Sequence, residues 1–167
     1  MPKLIKDGQL VEDHWTMFEA DTELATVLAT KAKQVLLPAE LWLQHKSELA
    51  GLNAKIGLWF ASAQNPADFE EDITQFPLIA LEFPMFKDGR AYSYAAILRQ
   101  QLNYNGELRA IGEVLRDQLT YMFRCGFNSF SLADDADVDY CLNGFHDFSE
   151  NYQSTVNNPT PLFRRRS

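Results

Sequence analysis

The sequence predicts an α/β protein whose mostly parallel sheet contains about five strand–helix units, flavodoxin-like or half-barrel-like, after an N-terminal β-hairpin. Two observations favour this class. The apolar runs at residues 34–37, 55–61 and 78–83 are continuous rather than alternating, which is typical of strands buried on both faces. These runs recur about every 20 residues, a spacing that leaves room for a crossover helix between neighbouring parallel strands.

The first elements follow from turn and cap residues. Residues 3–18 predict the hairpin, because Asp7-Gly8 is a favoured pair for a type I′ turn. Pro38 ends the first apolar run and suits the first turn of a helix, which should continue to about residue 49 with Gly51 as its C-cap. Pro66 should begin the next helix, which ends near residue 76.

The later units repeat this order. A helix over about 90–102 should precede a strand over 107–111, and a helix over about 113–125 should precede a strand over 128–132. Gly126 stands where a C-cap glycine is expected, and a last helix should cover about 138–152. We therefore expect one domain over residues 1–153 and a flexible tail over 154–167.

The composition of the chain argues against some binding partners and indicates a cellular compartment. The net charge of −8 argues against nucleic-acid binding, because a phosphate backbone would repel the protein. No apolar run approaches the roughly 20 residues that span a bilayer, and the N-terminus lacks the apolar core of a signal peptide. Cys125 and Cys141 are far apart in sequence, so a reducing cytoplasm is the expected compartment.

Motifs for common cofactors are missing from the sequence. There is no GxGxxG for a nicotinamide dinucleotide and no GxxxxGK[ST] phosphate loop. The three histidines lack zinc-site spacing, and two cysteines cannot hold a Cys₄ iron–sulfur cluster. The cofactor is therefore unknown, and no metal is expected. A flavin bound without a fingerprint motif, as in flavodoxin-like sheets, stays open.

A candidate site follows from the rule that ligands of open parallel sheets bind outside the carboxyl ends of the strands. Asp88 and Arg90 follow the strand at 78–83, while Gly112 and Glu113 follow the next strand, just before a helix N-terminus that could hold a small anion. Arg109 could contribute if its side chain points that way. The ligand-binding candidates are Arg90, Arg109, Gly112, Arg116 and Asp117, and the acid–base candidates are Glu82, Asp88 and Glu113.

A purely structural interpretation of the same residues also stays open. Asp88 could cap the helix that follows it. Arg109 and Arg116 could form structural bridges to nearby carboxylates; the possible partners are Glu82, Glu113 and Asp117.

Three stretches carry a family resemblance: residues 86–93 (FKDGRAYS), 106–118 (GELRAIGEVLRDQ) and 124–130 (RCGFNSF). With Trp15 and Tyr152-Gln153, they resemble a family of bacterial proteins called domain of unknown function 934. The family usually has Asp where this chain has Glu113, and often Asp at Asn128, so a catalytic role for Asn128 is not expected.

The resemblance implies a pathway rather than a reaction. Members of the family are commonly encoded beside the haem-containing sulfite reductase of sulfate assimilation, and some carry a loose oxidoreductase label. Within that pathway we expect a non-enzymatic accessory protein that binds sulfite reductase, or helps deliver electrons to it, through the surface from Asp88 to Asp117. The alternative is a small α/β enzyme, such as an oxidoreductase, acting on a small anionic or sulfur-containing metabolite. Arg90 and Arg109 would hold its anion, and the acid–base candidates would move protons.

Overall fold

The computed structural model describes residues 3–69, 73–85 and 88–147. The helices and strands, in chain order, are β1 (Lys3–Lys6), β2 (Gln9–Val11), β3 (Thr16–Met17), α1 (Leu24–Leu28), β4 (Gln34–Pro38), α2 (Ala39–Gln44), α3 (Lys46–Ala50), β5 (Lys55–Phe60), β6 (Leu78–Phe83), α4 (Arg90–Gln100), β7 (Glu107–Gly112), α5 (Leu119–Cys125), β8 (Ser129–Leu132) and α6 (Val138–Asp147). Short 3₁₀ turns cover Pro66–Asp68, Ile73–Gln75 and Arg116–Gln118.

The strands form one mixed eight-stranded sheet in the order β2-β1-β8-β7-β6-β5-β4-β3. Strands β3 to β8 are parallel and lie side by side in chain order, which is the arrangement of a half-barrel rather than of a flavodoxin-like sheet, whose strand order reverses. The hairpin strands β1 and β2 extend the sheet in the antiparallel sense beyond β8.

The prediction of a mostly parallel sheet with about five strand–helix units is therefore wrong in two respects. Strand β1 pairs with β8 in the antiparallel sense, so the sheet is mixed. The alternation of apolar and polar residues in a hairpin does not reveal with which distant strand the hairpin will pair. Between β5 and β6 the described residues form only 3₁₀ turns, where Pro66 predicted a helix. Asn65 accepts a hydrogen bond from the backbone N–H of Ala67, which caps the first of these turns.

Other boundaries also moved. The hairpin turn is as predicted, since Asp7 and Gly8 both have positive φ (52° and 80°), but the hairpin ends at Val11. The helix predicted over 38–49 is split into α2 and α3 at His45, whose ψ of 39° is not helical. The end of the last predicted helix and the predicted tail over 154–167 lie outside the described residues.

The sheet must be strongly curved. Its edge strands β2 and β3 are joined by the four residues Glu12–Trp15, which we call the crossing segment. A flat eight-stranded sheet would separate its edges by seven spacings of about 4.8 Å, roughly 34 Å. Five successive Cα–Cα steps, from Val11 to Thr16, reach about 18 Å at most. The edges therefore curl toward each other, and the crossing segment spans the opening.

The two faces of the sheet are buried in different ways. Helices α1 to α6 pack on the convex face against strand residues that include Ile79, Leu108 and Phe130. The concave face, which none of the described helices covers, carries a second apolar cluster: Leu36, Trp59, Leu78, Ala80 and Ile111, with Trp15 packed on it. Burial on both faces explains why the strands are continuous apolar runs. None of the helices in the described ranges is long and apolar enough to cross a membrane.

Candidate functional site

Arg109 lies at the centre of a buried ion cluster on the concave face. Strand β7 places it opposite Ala80 of β6 and Ser129 of β8, and its side chain is 3% exposed. Its Nε donates to Ser129 Oγ (3.2 Å), its Nη1 to Asp13 (3.2 and 3.3 Å) and its Nη2 to Glu107 (2.9 Å). Two carboxylates therefore neutralise this guanidinium already, and its side chain does not point to the loop after β7.

Glu107 is the second centre of this cluster. Its other carboxylate oxygen lies 3.3 Å from Lys6 Nζ, so two cations and two carboxylates balance one another. Burial by itself would raise the pKa of Glu107. The charge of Arg109, with hydrogen bonds from Ser129 and Arg109, outweighs burial and lowers that pKa below its usual value.

The ion cluster anchors the crossing segment. Asp13 belongs to this segment, and it also accepts a hydrogen bond from the backbone N–H of Trp15 (3.0 Å). The Trp15 ring lies against Gly57 of β5, where a Cβ would come within 3.2 Å of the ring. Arg109, through Asp13, and Gly57, through Trp15, therefore both hold the crossing segment on the concave face.

The loop after β6 contains a separate ion pair. Asp88 accepts hydrogen bonds from the backbone N–H of Arg90 (3.2 Å) and from its Nε (3.1 Å) and Nη2 (2.8 Å). Arg90 Nη2 also donates to Ser62 Oγ (3.0 Å) in the loop after β5. These bonds to Arg90 hold the pKa of Asp88 well below its usual range. Asp88 therefore accepts the first N–H of α4, but the N-cap residue is Gly89 and not Asp88, which the structural interpretation expected in that position. Arg90 is paired although its side chain is 55% exposed.

Gly112 and Glu113 end β7 beside the end of β6. Gly112 has a φ of 87°, and a Cβ there would clash with the Phe83 carbonyl oxygen. The backbone N–H of Glu113 donates to that same oxygen (2.6 Å). This close approach of the two strand ends explains why residue 112 is a glycine. The helix predicted over 113–125 begins only at Leu119, after a 3₁₀ turn, so its N-terminus does not lie beside Gly112 to hold an anion. The Glu113 side chain is exposed.

Glu82 lies near the carboxyl end of β6, in register with Ile111 of β7 and so on the concave face. It is half-buried, and burial raises its pKa; the charge of Glu19 raises it further. The pKa of Glu82 therefore moves toward neutrality, whereas that of Asp88 moves away from it.

Arg116 and Asp117 lie on the opposite, helix-bearing side. The Arg116 guanidinium stacks 4.2 Å from the centre of the Tyr140 ring. Gly144 of α6 makes room for it, since a Cβ there would come within 3.2 Å of Arg116 Nε. A cleft of about 300 Å³ is lined by Arg116, Asp117, Leu119, Thr120, Tyr121, Arg124 and Gly144. We call Arg116, Tyr121, Arg124 and Tyr140 the arginine–tyrosine surface.

The predicted site residues therefore fall into three places rather than one. Asp88, Arg90, Gly112 and Glu113 lie at the carboxyl edge of the strands, Glu82 and Arg109 lie on the concave face, and Arg116 and Asp117 lie in the cleft beside α6. Sequence reasoning missed Asp13, Trp15 and Glu107. One pattern could have found Glu107: alternate charged residues at 107 and 109 inside an apolar strand predict one charged stripe on a buried face.

The described residues contain no group of three His, Cys, Asp or Glu side chains that could hold a metal ion. No curated protein matches the chain, and no solved structure does so either. One family model matches residues 57–163, more than half of the chain, and it describes a bacterial protein of unknown function (DUF934). The match begins within β5 and continues past α6, so it contains Arg109, the carboxyl edge and the arginine–tyrosine surface. The chain therefore belongs to this family of bacterial proteins of unknown function, as its central motifs indicated.

Proposed function

We propose that this protein is a cytoplasmic accessory protein of assimilatory sulfate and sulfite reduction that binds sulfite reductase. The pathway comes from the resemblance described above. The observation that supports binding is the arginine–tyrosine surface, where Tyr121 and Tyr140 are 55% and 54% exposed around two arginines. This surface overlaps the contact expected from Asp88 to Asp117 only at its end, Arg116 and Asp117, and extends beyond it to Tyr140.

The composition of this surface suits a protein partner. Tyrosine and arginine are enriched among residues that dominate binding energy at interfaces. The Tyr121 side chain packs against the Tyr92 ring (4.7 Å between centroids), and the Tyr140 side chain packs against the Arg116 guanidinium. Both tyrosines are therefore ordered before a partner binds, so binding loses less side-chain entropy.

Exposed carboxylates lie near these side chains in the sequence. Asp117 is 91% exposed, and Asp135 and Asp139 are also exposed near the start of α6. Acidic groups around an aromatic centre fit a partner whose contact patch has a basic rim, and they would speed association at low salt.

Catalysis on an anion has weaker support. Arg90 and Arg109, which would hold the anion together, have separate carboxylate partners, Asp88 for one and Asp13 with Glu107 for the other. A small α/β enzyme acting on a small anionic or sulfur-containing metabolite remains the second candidate. It is favoured by Glu82, a half-buried carboxyl with a raised pKa on the concave face.

The test is a direct binding measurement between the purified protein and the sulfite reductase of the same bacterium. We expect affinity that falls with salt and that Tyr140→Ala weakens by about tenfold or more, as for a residue central to an interface. Leu43→Ala on α2 is the matched control. Leu43 is 43% exposed, but it lies beside β4 and β5, away from this surface, so its replacement should leave affinity unchanged.

Absence of binding at low salt, or equal losses of affinity in the two variants, contradicts the proposal.

A growth experiment tests the pathway separately. A strain lacking the gene should grow normally on cysteine and poorly on sulfate as sole sulfur source, and equal growth on both would remove the assignment.

A further inference from the structure

A cavity of about 640 Å³ lies between the crossing segment and the concave face. Its volume is within the usual range of small-molecule sites, about 300–1,000 Å³. Its lining includes residues of β1 to β4, β7 and β8 together, because the curved sheet brings its two edges to one opening. The cavity is on the opposite side of the sheet from the arginine–tyrosine surface, so the inference below does not rest on the proposed function.

The lining of this cavity is largely apolar. Leu4, Leu36 and Ile111, each no more than 5% exposed, are the buried apolar residues of the lining. Met17 also lines it and is 41% exposed, which is high for a large apolar side chain placed around a concavity. The surface left open to water is therefore one that an apolar molecule would cover favourably.

The charges of the lining cancel. It contains Lys3 and Arg109 as cations and Glu12 and Asp13 as carboxylates. Arg109 is fully engaged with Asp13 and Glu107, and Lys3 Nζ donates to the Ala136 carbonyl (2.8 Å). An anion entering the cavity would meet Asp13 and Glu12 without finding an uncommitted cation in the lining, and would lose its hydration.

We propose that the concave cavity is a binding site for a small uncharged molecule with an aromatic or aliphatic body. Trp15 and Met17 offer a flat ring and a polarisable thioether to that body. The Ser131 hydroxyl, which also lines the cavity, supplies a hydrogen-bonding group for one polar atom of the ligand.

Two fluorescent probes that differ by a single sulfonate test the proposal. N-phenyl-1-naphthylamine is uncharged, and 8-anilinonaphthalene-1-sulfonate is its anionic counterpart. Titration of the full chain should show saturable binding of the uncharged probe, with the sulfonate binding about tenfold or more weakly because its charge is desolvated without a free cation. Equal binding of the two probes would overturn the proposal.

Substitutions locate the binding and test the charge argument. Ser131→Phe should place a bulky ring inside the cavity and block binding of the uncharged probe, whereas Ser47→Phe, on the exposed surface of α3, should leave it intact. Circular dichroism checks that both variants fold. Glu12→Lys gives the lining a net positive charge, so it should strengthen sulfonate binding several-fold and leave the uncharged probe unaffected.

Three results would count against this site: retained probe binding in Ser131→Phe, an unchanged sulfonate affinity in Glu12→Lys, or loss of probe binding as protein concentration rises. The last would mean that a second copy of the chain covers the concave face. Sedimentation at the same concentrations identifies that case.

Discussion

Replacement of Arg109 by methionine should unfold the crossing segment from the sheet and destabilise the whole protein. Methionine keeps an unbranched apolar side chain in place of the aliphatic part of arginine, and it removes the charge and the donors. Glu107, 10% exposed, and Asp13, 28% exposed, would then lose the guanidinium that neutralises them. The reason is that a buried carboxylate without its partner is far less favourable than the intact pair.

The size of the effect follows from the burial of each partner. Removing one side of a buried ion pair costs about 3–5 kcal/mol. Asp13 is partly exposed, and Lys6 remains 3.3 Å from Glu107, so both carboxylates keep some compensation. We therefore expect the low end, about 3 kcal/mol, which corresponds to a fall of roughly 6–12 °C in Tm for a protein of this size.

Urea unfolding followed by circular dichroism measures this change. A triple variant, Arg109→Met with Glu107→Gln and Asp13→Asn, should recover much of the loss, because no uncompensated charge stays buried. Arg90→Met is the matched control: its side chain is 55% exposed, and it should leave the urea midpoint within error. An Arg109→Met midpoint equal to that of the natural protein, or a triple variant no more stable than the single one, would refute the reasoning.

Three further predictions concern stability. Gly112→Ala should destabilise the protein by about 1–3 kcal/mol in urea unfolding, because it forces a positive φ and a contact with the Phe83 carbonyl oxygen; no loss would contradict this. Tyr104→Phe should cost about 1–3 kcal/mol, since the buried hydroxyl donates to the Phe76 carbonyl (2.9 Å); Tm reports it, and an unchanged Tm contradicts it. The pKa of Glu107 is lowered by folding, so its contribution is complete above about pH 4.5 and is lost as the pH falls below that value. In Glu107→Gln, the free energy of unfolding should therefore fall less steeply with decreasing pH below about pH 4.5. A fall as steep as that of the natural protein would contradict this prediction.

Local patterns predicted the individual strands well. Residues 55–60, 78–83 and 107–112 form β5, β6 and β7 within one residue of the expected bounds, because runs of large apolar residues are stable only when both faces of a strand are covered. Asp7-Gly8 and Gly126 were also predictable, since turns and C-caps depend on one or two residues.

Pairing between distant residues was not predictable in the same way. Nothing in residues 12–15 alone shows that the chain leaves one edge of the sheet and joins the other. That placement depends on the salt bridge between Asp13 and Arg109, 96 residues apart, and on the contact of Trp15 with Gly57. Arg90 and Arg109 lie in adjacent βα units, and yet they are not neighbours. Arg90 begins helix α4, whereas Arg109 points from the middle of β7 toward the concave face.

The sequence by itself determined the class of this protein, its parallel strands, its hairpin turn and its family. These are set by periodicity, by turn residues and by local motifs, which act over a few residues. The tertiary structure alone decided that the sheet is mixed and curved, that Arg109 is an internal anchor, and that Arg116 joins Tyr140 on an exposed surface. Those outcomes depend on which buried charges and strand edges find partners across the fold, and a charge buried in a sheet is stable only beside a partner that the chain brings to it.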